Sequence, residues 1–410
     1  MKPYQGANPR EGAFLALLSF YKTGAFLSDT LGRWQAKAKP TPLNFRLAKH
    51  LALGALKMRR SLNFFLKDRC SKLKVKERCL LHLALYQAFF SQKIPSYALV
   101  NEMVSLAKKY CHHRFASFLN AFLRKLPSMT FDLPDGDDAD SLGICYSYPT
   151  FFVQSLLYEV GLQKTRHILE AGNAPPHVFF RKRFPEKPCP FPCQDVTSSC
   201  ALFQGDSIQD LVNSCEYYIQ NVTPVSLLDH MRSQSKPKRI LDLCSAPGGK
   251  LLYLFDAYPK AKLFANDVSE KRLETLRANC EKYAILADIS NMPGEEFSSK
   301  EPFDLILLDV PCSNSGVLSK RAEARWRLDE DNVKELEEKQ KRLLKHALSL
   351  LAPGGEIWYL TCSILQCENE KIAEFASDTL GMQRRTSHTI FPKITGEDGG
   401  FGVVLTRKFS

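Results

Sequence analysis

Residues 239–250, R-I-L-D-L-C-S-A-P-G-G-K, limit the possible fold more than any other segment of the chain. The segment begins with a mostly apolar run, which predicts a short buried strand. The chain then turns through Gly248-Gly249, and apolar residues at helical spacing follow. A strand, a glycine turn and a helix N-terminus let backbone N–H groups approach a ligand closely. The segment therefore predicts a ligand-binding cradle inside an α/β domain.

Strand and helix patterns alternate from residue 224 onwards. Apolar runs predict strands over 239–243, 262–266, 284–287, 303–309, 356–360, 380–384 and 401–407. Helical spacing predicts helices over 224–233, 249–257, 270–282, 332–350 and 367–376. This alternation predicts a doubly wound, Rossmann-like α/β domain that binds its ligands at the carboxyl ends of the strands.

Residues 1–130 carry apolar side chains at spacings of three, four and seven, with few β-branched runs or hairpin turns. These spacings predict helices throughout, and we expect a compact all-α bundle. The longest apolar stretch, residues 80–90, contains His82 and Gln87 and is too short to span a membrane. We therefore expect a core helix there and no membrane association.

Charge is distributed unevenly along the sequence. Residues 1–130 contain 23 Lys and Arg but only 5 Asp and Glu, a net charge of +18, whereas the remainder contains 33 and 39, a net charge of −6. A basic helical domain on a slightly acidic body predicts contact with nucleic acid. The alternative is a basic helical surface that is simply solvated.

Two further segments separate these domains. Residues 131–146 cluster aspartates around a Pro and a Gly without periodicity, which predicts an acidic linker. Residues 147–223 begin with a helical apolar stripe, predict a strand over 178–181 and continue without a clear period over 183–220. We expect them to form a small RNA-gripping subdomain before the catalytic domain at 224–410.

The sequence contains 13 scattered cysteines and opens without a signal-peptide pattern. This usage predicts reduced thiols in the cytoplasm, and argues against a disulfide framework. Cys189, Cys193 and Cys200 could suggest a zinc site, but no further ligands follow at a suitable spacing. We therefore expect no metal.

Asp267 follows the predicted strand over 262–266 and lies 25 residues after Asp242. A carboxylate there can accept hydrogen bonds from both ribose hydroxyls of an adenosine ligand. Asp267 could instead cap the next helix, although Ser269 can do so itself. The cradle lacks both the G-x-G-x-x-G pattern of dinucleotide sites and the G-x-x-x-x-G-K-[ST] pattern of phosphate-binding loops. Its smaller P-G-G turn favours a ligand without a pyrophosphate, and we expect S-adenosylmethionine.

Two more acids come at the ends of predicted strands. Asp288 follows the strand over 284–287, and Asp309 ends the strand over 303–309. We expect Asp288 beside the adenine of the cofactor and Asp309 beside its methionine end. Each acid alone is equally compatible with a loop cap, but three acids at successive strand ends favour a cofactor site.

Cys312, in D-V-P-C-S, and Cys362, in T-C-S, each follow a predicted buried strand, so we expect both thiols at the carboxyl edge of the sheet. A buried cysteine is usually a small apolar residue, but in these polar loops a thiolate can act as a nucleophile. C5 of cytosine becomes nucleophilic enough to attack a methyl sulfonium when a thiolate adds at C6. Asp309, beside N3 and the exocyclic amine, would favour that addition. One cysteine would attack and the other would assist release.

The motifs D-L-C-S-A-P-G-G-K, D-V-P-C-S-N-S-G and Y-L-T-C-S, the last followed by Glu368-Asn369-Glu370, resemble those of the RNA 5-methylcytosine methyltransferases. This family includes the bacterial ribosomal RNA small-subunit methyltransferase B, the Sun or Fmu protein. Residues 267–273 resemble its ribose motif. Around Tyr86-Gln87 and Ile94-Pro95 the helical domain resembles the antitermination factor NusB, whose domain precedes the enzyme core in methyltransferase B.

The resemblance implies a NusB-like RNA-binding bundle followed by a Rossmann-like methyltransferase domain that uses S-adenosylmethionine. It implies that Cys362 is the nucleophile and that Cys312 assists product release. It also implies cofactor contacts by Cys244, Ser245, Ala246, Pro247, Gly248, Gly249, Lys250, Asp267, Arg272, Asp288 and Asp309. The expected substrate is C5 of a cytosine in RNA, above all small-subunit (16S) ribosomal RNA, and we expect a monomer.

Alternatives to this function stay open. The chain could be an RNA-binding or ribosome-assembly module with a degenerate core, or it could methylate another RNA. An amine acceptor is disfavoured, because that chemistry would not need two cysteines at the rim. The sequence also departs from the family in a short segment between Arg181 and Gln220, and in Asn221, where the family has Asp.

Overall fold

The computed structural model describes residues 7–70, 72–91, 95–232 and 236–407. The chain divides into two compact units, Met1–Leu157 and Tyr158–Ser410. Within the described ranges, no helix is both long enough and apolar enough to cross a membrane.

The first unit is helical, as predicted for residues 1–130. Its helices are α1 (Pro9–Thr23), α2 (Leu27–Ala38), α3 (Pro42–Lys57), α4 (Arg59–Leu66), α5 (Val75–Phe90), α6 (Ser96–Tyr110), α7 (His113–Lys125), α8 (Ala139–Cys145) and the beginning of α9 (Thr150–Asn173). Helix α9 continues into the second unit and is interrupted by Gly161 at φ 76°. Ile94, part of the NusB-like motif, lies outside the described residues.

The helix ends follow the chemistry of their terminal residues. Asn8 accepts a hydrogen bond from the backbone N–H of Arg10 at 2.9 Å, and α1 begins with a proline. Gly24 ends α1 with a positive φ of 70°, a conformation that costs glycine little. Thr41 caps α3 by accepting from the N–H of Asn44 at 3.2 Å. The ends of these helices are therefore determined by the residues at the ends themselves.

The segment predicted as an acidic linker is part of the first unit. Asp138 caps α8 by accepting from the N–H of Ser141 at 3.0 Å. The guanidinium of Arg60 pairs with Asp140 at 2.5 Å, and the hydroxyl of Ser61 donates to the carbonyl of Ile144 at 2.6 Å. The prediction of a linker over 131–146 was therefore wrong for its second half, because these aspartates cap and anchor a helix.

Helix α5 buries His82 and Gln87 almost completely in its middle, besides Glu77 in its first turn. The hydroxyl of Tyr21 donates to Nδ1 of His82 at 2.6 Å, and Nε2 of His82 donates to Asn63 at 3.0 Å, roles that require a neutral imidazole. Nε of Arg10 donates to Oε1 of Gln87 at 2.7 Å. The predicted core helix is confirmed, and hydrogen bonds compensate the burial of its polar side chains.

The second unit opens with the end of α9 and a small antiparallel sheet. Among the described residues its strands, in the spatial order β2-β3-β1-β4, are β1 (Phe179–Lys182), β2 (Cys193–Asp195), β3 (Cys200–Phe203) and β4 (Tyr217–Ile219), with helix α10 (Gln209–Asn213) before β4. Phe180, Ala201, Leu211 and Tyr217 form its core. The predicted strand over 178–181 is confirmed within one residue. The segment 183–220, which shows no clear period, nevertheless folds into a complete layer.

The larger sheet carries the predicted α/β pattern. Its strands in the described chain are β5 (Arg239–Asp242), β6 (Lys262–Asn266), β7 (Ala287–Ser290), β8 (Phe303–Asp309), β9 (Leu351–Thr361), β10 (Met382–Ile390) and β11 (Gly400–Arg407). Its helices are α11 (Val222–Met231), α12 (Gly249–Ala257), α13 (Glu270–Tyr283), α14 (Ala322–Arg325), α15 (Glu330–Ser349) and α16 (Glu370–Asp378).

The strand order is β10-β11-β9-β8-β5-β6-β7. The pairs from β9 through β7 are parallel, and β11 is antiparallel to both of its neighbours. Residues of α11, α12 and α13 pack on one face, and residues of α15 and α16 pack on the other. The predicted doubly wound fold is confirmed. The chain reverses direction across the sheet between β5 and β8, where such folds bind ligands.

Some predicted boundaries were wrong for identifiable reasons. Ala284, predicted to begin a strand, instead ends α13 with a positive φ of 54°, so β7 begins at Ala287. Helix α16 begins at Glu370 because a 3-10 turn occupies Gln366–Glu368. Ser233, the predicted end of α11, lies outside the described residues.

We expect acid to destabilise the protein through His82. Burial, together with Arg59 and Arg78, lowers the pKa of His82 from 6.5 to about 3. Between these values the unfolded chain binds a proton that the folded chain does not. The stability contributed by neutral His82 is complete above the ordinary pKa and is lost as pH falls below it, at up to about 1.4 kcal/mol per pH unit.

Urea unfolding of the whole chain at pH 7 and pH 5 measures this effect. His82→Gln does not titrate and should lose less free energy of unfolding over this interval than the wild type. His113→Gln, at an exposed position of α7, should behave like the wild type. Equal losses in all three proteins would contradict the assignment to His82.

Candidate active site

The turn after β5 forms the predicted cradle. The N–H of Gly248 donates to the carbonyl of Ser245 at 2.8 Å, and Gly248 has a positive φ of 101°. A Cβ on Gly248 would lie 2.6 Å from Leu276, and a Cβ on Gly249 would lie 2.8 Å from the ring of Tyr218. Both glycines are therefore required, and Gly249 begins α12 with its free backbone N–H groups.

Helix α13 holds this turn from the side. Arg272 donates to the carbonyl of Ala246, and Asn279 donates to the carbonyl of Pro247 at 2.8 Å. Asp267, with 2% of its surface exposed, accepts from the N–H of Ala246 at 3.2 Å. Asp267 also lies 3.4 Å from Arg272. Arg272 and Asp267, both predicted to contact a cofactor, thus also support the loop.

Two residues, Asp267 and Ser269, are candidates for the N-cap of α13. Ser269 caps α13 itself, with its hydroxyl accepting from the N–H of Arg272 at 3.4 Å. Asp267 accepts from the N–H of Ser269 at 3.0 Å and is not the capping residue. Its carboxylate lies at the carboxyl end of β6, next to the cradle, as the sequence predicted.

Asp242 is a buried acid that the sequence prediction missed as a site residue. It ends β5, has 0% exposure, and has no well-formed hydrogen bond among the described residues, although Ser245 lies nearby. Burial and the neighbouring Asp309 raise the pKa of Asp242 to about 7. Buried polar atoms are normally paired, so an unpaired carboxylate at a ligand cradle marks a place for a bound polar group. The sequence signal that could have identified Asp242 as a site residue is its position at the end of the predicted central strand.

Lys250 and Asp309 meet where the strand order reverses. Nζ of Lys250, in the first turn of α12, donates to Oδ2 of Asp309 at 2.6 Å. Burial acts to lower the pKa of Lys250, but Asp309 raises it overall, and Cys362 acts in the same direction. Lys250 therefore carries a positive charge beside Asp309 and interacts electrostatically with Cys362.

Cys312 and Cys362 face each other, with their Sγ atoms 3.1 Å apart. Sγ of Cys362 also lies 3.4 Å from Oδ1 of Asn314, whose amide donates to the carbonyl of Cys312 at 2.9 Å. The hydrogen bond to Cys362 and burial raise the pKa of the Cys312 thiol well above its usual range. This pKa favours a protonated Cys312 that donates to the sulfur of Cys362. Both thiols follow strands β8 and β9 at the carboxyl edge of the sheet, where the sequence placed them.

Cys244 is chemically different from these two. Burial, followed by the charges of Asp242, Asp309 and Asp267, raises its pKa above the usual range. A thiol among acids stays protonated and is a poor nucleophile. Cys244 lies in the turn of the cradle, and its raised pKa disfavours a nucleophilic role.

The strand-end position predicted for Asp288 was wrong. Asp288 is the second residue of β7, opposite Phe264, and the strand continues to Ser290. Its exposed carboxylate pairs with Lys262 at 3.0 Å. The strand begins later than its apolar pattern indicated, because Ala284 ends the preceding helix. A cofactor contact by Asp288 stays a prediction.

Glu368 is a second buried carboxylate. It belongs to the motif that follows Cys362, and the sequence predicts no role for it. It accepts hydrogen bonds from the N–H of Ser313 at 2.8 Å and from Gln340 at 3.0 Å. Its partners come from distant segments, so no local pattern could reveal the role. Within the described residues, no three His, Cys, Asp or Glu side chains group as metal ligands.

Two family models match the chain. The model described as 16S rRNA methyltransferase RsmB/F matches residues 230–400. The model of the NusB family matches residues 7–127. The two matches occur in the order that the sequence motifs predicted.

Curated relatives named ribosomal RNA small subunit methyltransferase B are similar to nearly the whole chain or to part of it. The protein of Photorhabdus laumondii subsp. laumondii is 25% identical, over 94% of this chain and 95% of its own. The protein of Proteus mirabilis is 34% identical, over 42% of each chain.

Solved structures share the fold. The protein PH0851 has a TM-score of 0.77 at 19% identity and covers 98% of this chain and 99% of its own. A methyltransferase homolog protein from Pyrococcus horikoshii has a TM-score of 0.57 at 22% identity, over 67% of this chain and 100% of its own. At these identities the likeness concerns the fold alone.

We expect Asp242→Asn to stabilise the protein above neutral pH. The folded-state pKa of Asp242, about 7, exceeds its ordinary value of 3.8, so the folded chain binds the extra proton between these values. The stability of protonated Asp242 is present at low pH and is lost as pH rises through the folded pKa. The free energy gained by the Asn variant should therefore be larger at pH 8 than at pH 5, by about 1–3 kcal/mol.

Urea unfolding of both proteins at the two pH values measures the difference. Asp378→Asn, which changes an exposed acid at the end of α16, is the matched control and should show no such dependence. A gain for Asp242→Asn that does not change with pH would mean that its carboxylate is not the titrating group.

Proposed function

The chain belongs to the RsmB/F family of 16S rRNA methyltransferases and carries a NusB-family domain, and we propose that it methylates C5 of a cytosine in RNA. The observation that carries this proposal is the pair of facing sulfurs, Cys312 and Cys362, 3.1 Å apart at the carboxyl edge of the sheet. A second thiol beside a nucleophilic thiol suits a reaction in which a covalent adduct forms and must then be released.

S-adenosylmethionine fits the cradle as the cofactor. The unpaired carboxylate of Asp242 suits a cationic amine, and the positive φ of Gly248, 101°, gives the tight turn that brings backbone next to it. When bound, S-adenosylmethionine supplies the electrophilic methyl group. We assign its binding to the turn over 244–250 and to Asp242, Asp267, Arg272, Asp288 and Asp309.

Cys362 is the nucleophile in this proposal. Its sulfur adds to C6 of the cytosine as a thiolate, and the electron pair of the C5–C6 double bond moves toward C5. Two groups around Cys362 suit this step: the Cys312 thiol, whose sulfur lies 3.1 Å away, and the ammonium of Lys250, which interacts electrostatically with Cys362. Asp309, held by Lys250, is the acid that we assign to N3 and the exocyclic amine.

Cys312 acts when the methylated base is released. The C5 proton leaves to water, its electron pair restores the C5–C6 double bond, and the bond from C6 to sulfur breaks. The departing electron pair returns to the sulfur of Cys362, which accepts a hydrogen bond from the Cys312 thiol. Because its raised pKa keeps Cys312 protonated, it can stabilise the leaving thiolate without competing for C6.

The substrate that we propose is small-subunit ribosomal RNA. The relatives that match most of the chain are named for that substrate, and the basic first domain suits a polyanion. Another RNA is the second candidate. A degenerate core is disfavoured, since the cysteine pair and the ion pair of Lys250 and Asp309 are intact. We further propose a cytoplasmic monomer, consistent with the 13 free cysteines.

We expect the two cysteines to fail differently when substituted. Cys362→Ala should lose methyl transfer by roughly 10⁴-fold or more, because the nucleophile is gone. Cys312→Ala should still attack the base but accumulate a covalent RNA–protein adduct. Methyl transfer to purified small-subunit RNA, mapped by bisulfite sequencing, and denaturing gels for the adduct measure both outcomes.

Cys215→Ala changes an exposed cysteine and should match the wild type in both assays. Normal turnover by Cys362→Ala would remove that residue from the nucleophile role. Wild-type protein that forms 5-methylcytosine in another RNA, but not in this one, would support the second candidate. No 5-methylcytosine in any RNA would favour the degenerate module.

We expect the basic surface of α7 to contribute to RNA affinity through phosphate contacts. Arg114, Arg124 and Lys125 are exposed on this helix. Changing all three to Gln should weaken binding and reduce the slope of log affinity against log salt by about 0.7 for each lost contact with single-stranded RNA. Filter binding at several salt concentrations measures the slope. The acidic-surface control Glu335→Gln should not lower the slope, and an unchanged slope in the triple variant would show that α7 is only solvated.

A further inference from the structure

Glu368 is a buried carboxylate that touches the loop of Cys312. It has 0% exposure and lies in the 3-10 turn before α16. Its Oε1 accepts from the N–H of Ser313 at 2.8 Å, and its Oε2 accepts from the hydroxyl of Ser313 at 2.5 Å. Ser313 directly follows Cys312, so Glu368 holds the backbone and the side chain next to the thiol. The mechanism proposed above gives Glu368 no part.

The same contacts reach the loop of Cys362. The hydroxyl oxygens of Ser313 and Ser363 lie 3.3 Å apart, and Ser363 directly follows Cys362. The hydroxyls of Ser315 and Ser363 lie 2.8 Å apart, and the N–H of Gly316 donates to the carbonyl of Cys362 at 2.9 Å. The residues that follow the two cysteines are therefore bound to each other, with Glu368 behind them.

Rigid elements anchor Glu368 on its other side. Gln340 of α15 donates to Oε1 of Glu368 and to the carbonyl of Pro311, both at 3.0 Å. The hydroxyl of Tyr359 in β9 donates to the carbonyl of Glu368 at 2.7 Å. A side chain fixed by a helix and a central strand can hold a reactive group within a fraction of an ångström.

We propose that Glu368 is a positioning residue for product release, which through Ser313 holds the Cys312 thiol so that it donates a hydrogen bond to the departing sulfur of Cys362. This inference rests on the proposed function, which assigns release to Cys312. In that step the bond between C6 and sulfur breaks and its electron pair goes to Cys362. A misplaced or deprotonated Cys312 would leave this charge unstabilised.

The charge of Glu368 supports the same role. The hydrogen bond to Cys362, burial, the charge of Cys362 and the charge of Glu368, in that order, raise the pKa of Cys312. Among the other titratable groups that act on this cluster are Tyr359, Cys367 and Glu337, while Lys250 interacts with Cys362. Glu159 and Lys371 act on Cys367, and burial raises the pKa of Glu159 to about 7, so Glu159 titrates near neutral pH behind Cys367. Burial raises the pKa of Cys367 to about 12 and keeps Tyr359 protonated, so neither changes charge near neutral pH.

Glu368→Gln in the full chain tests the proposal, because Gln keeps the size of the side chain and removes its charge. The first methyl transfer should stay within about threefold of the wild type, while steady-state turnover falls about tenfold. The covalent RNA–protein adduct should accumulate on denaturing gels. Removing the negative charge should lower the pKa of Cys312, so the alkaline loss of turnover should move to lower pH, by about one unit.

Two further variants separate charge from geometry. Ser313→Ala keeps the charge of Glu368 but removes one of its contacts, and should slow release without moving the alkaline limb. Glu356→Gln changes another buried carboxylate, which is bound to Arg385 and Trp358 in the middle of β9 and makes no contact with either cysteine loop among the hydrogen bonds of the described residues, and should leave adduct level and pH profile unchanged.

The results of these experiments distinguish a positioning role of Glu368 from a purely structural role and from no role. A parallel fall of first transfer and adduct in Glu368→Gln would mean a purely structural role, and unchanged release would mean no role. If Glu368→Gln does not fold, slow release by Ser313→Ala supports the proposal and wild-type release by it overturns the proposal. A wild-type protein that forms no 5-methylcytosine would instead contradict the proposed function itself.

Discussion

The parallel pairing of β8 with β5 on one side and β9 on the other is the constraint from which the site follows. Asp242 at the end of β5 pairs with Leu307, so Asp309 extends beyond it toward Lys250, and the two form an ion pair of 2.6 Å. On the other side Asp309 pairs with Leu360. The loops that leave these adjacent ends must therefore run side by side, and each carries a cysteine. The two sulfurs therefore meet because of the register in which β8 and β9 pair.

Asp242 and Glu368 are both fully buried carboxylates, but they differ in how many hydrogen bonds they accept. Glu368 is saturated with donors from Ser313 and Gln340, as a buried charge must be to persist. Asp242 lacks such donors among the described residues, and its pKa rises to about 7. An unsatisfied buried acid destabilises the folded state and is retained where a ligand completes it. The same chemical group thus supports the loops in one place and presents an unpaired acceptor beside the cradle in the other.

The sequence predicted those elements whose signals are local. The bounds of α12, β6 and β8 agree with the prediction, because apolar runs there stop at glycine or at an acid. The position of both cysteines at the carboxyl edge of the sheet could also be predicted, since both motifs come after buried strands. The late start of β7 could not be predicted, because nothing about an alanine side chain indicates that Ala284 adopts a left-handed conformation. The strands of the small sheet are three or four residues long, too short to show a period. The role of Glu368 depends on partners brought from α15 and the Cys312 loop.

One departure from the family pattern helps to explain why the Cys312 loop is fixed from outside as well. Asn221 accepts from the N–H of Asp398 at 2.9 Å and donates to the carbonyl of Gly396 at 3.0 Å, and an ionised Asp could not make the second bond. That segment in turn reaches the Cys312 loop, through the N–H of Gly399 to the carbonyl of Gly316 at 2.7 Å and through the ion pair of Asp398 with Lys320 at 2.7 Å. Glu368 holds the loop from the interior and Asn221 holds it from the surface. In the proposed mechanism, two thiols that are restrained on both sides would need little reorganisation when the adduct forms, so the base would be brought to the sulfurs and not the reverse.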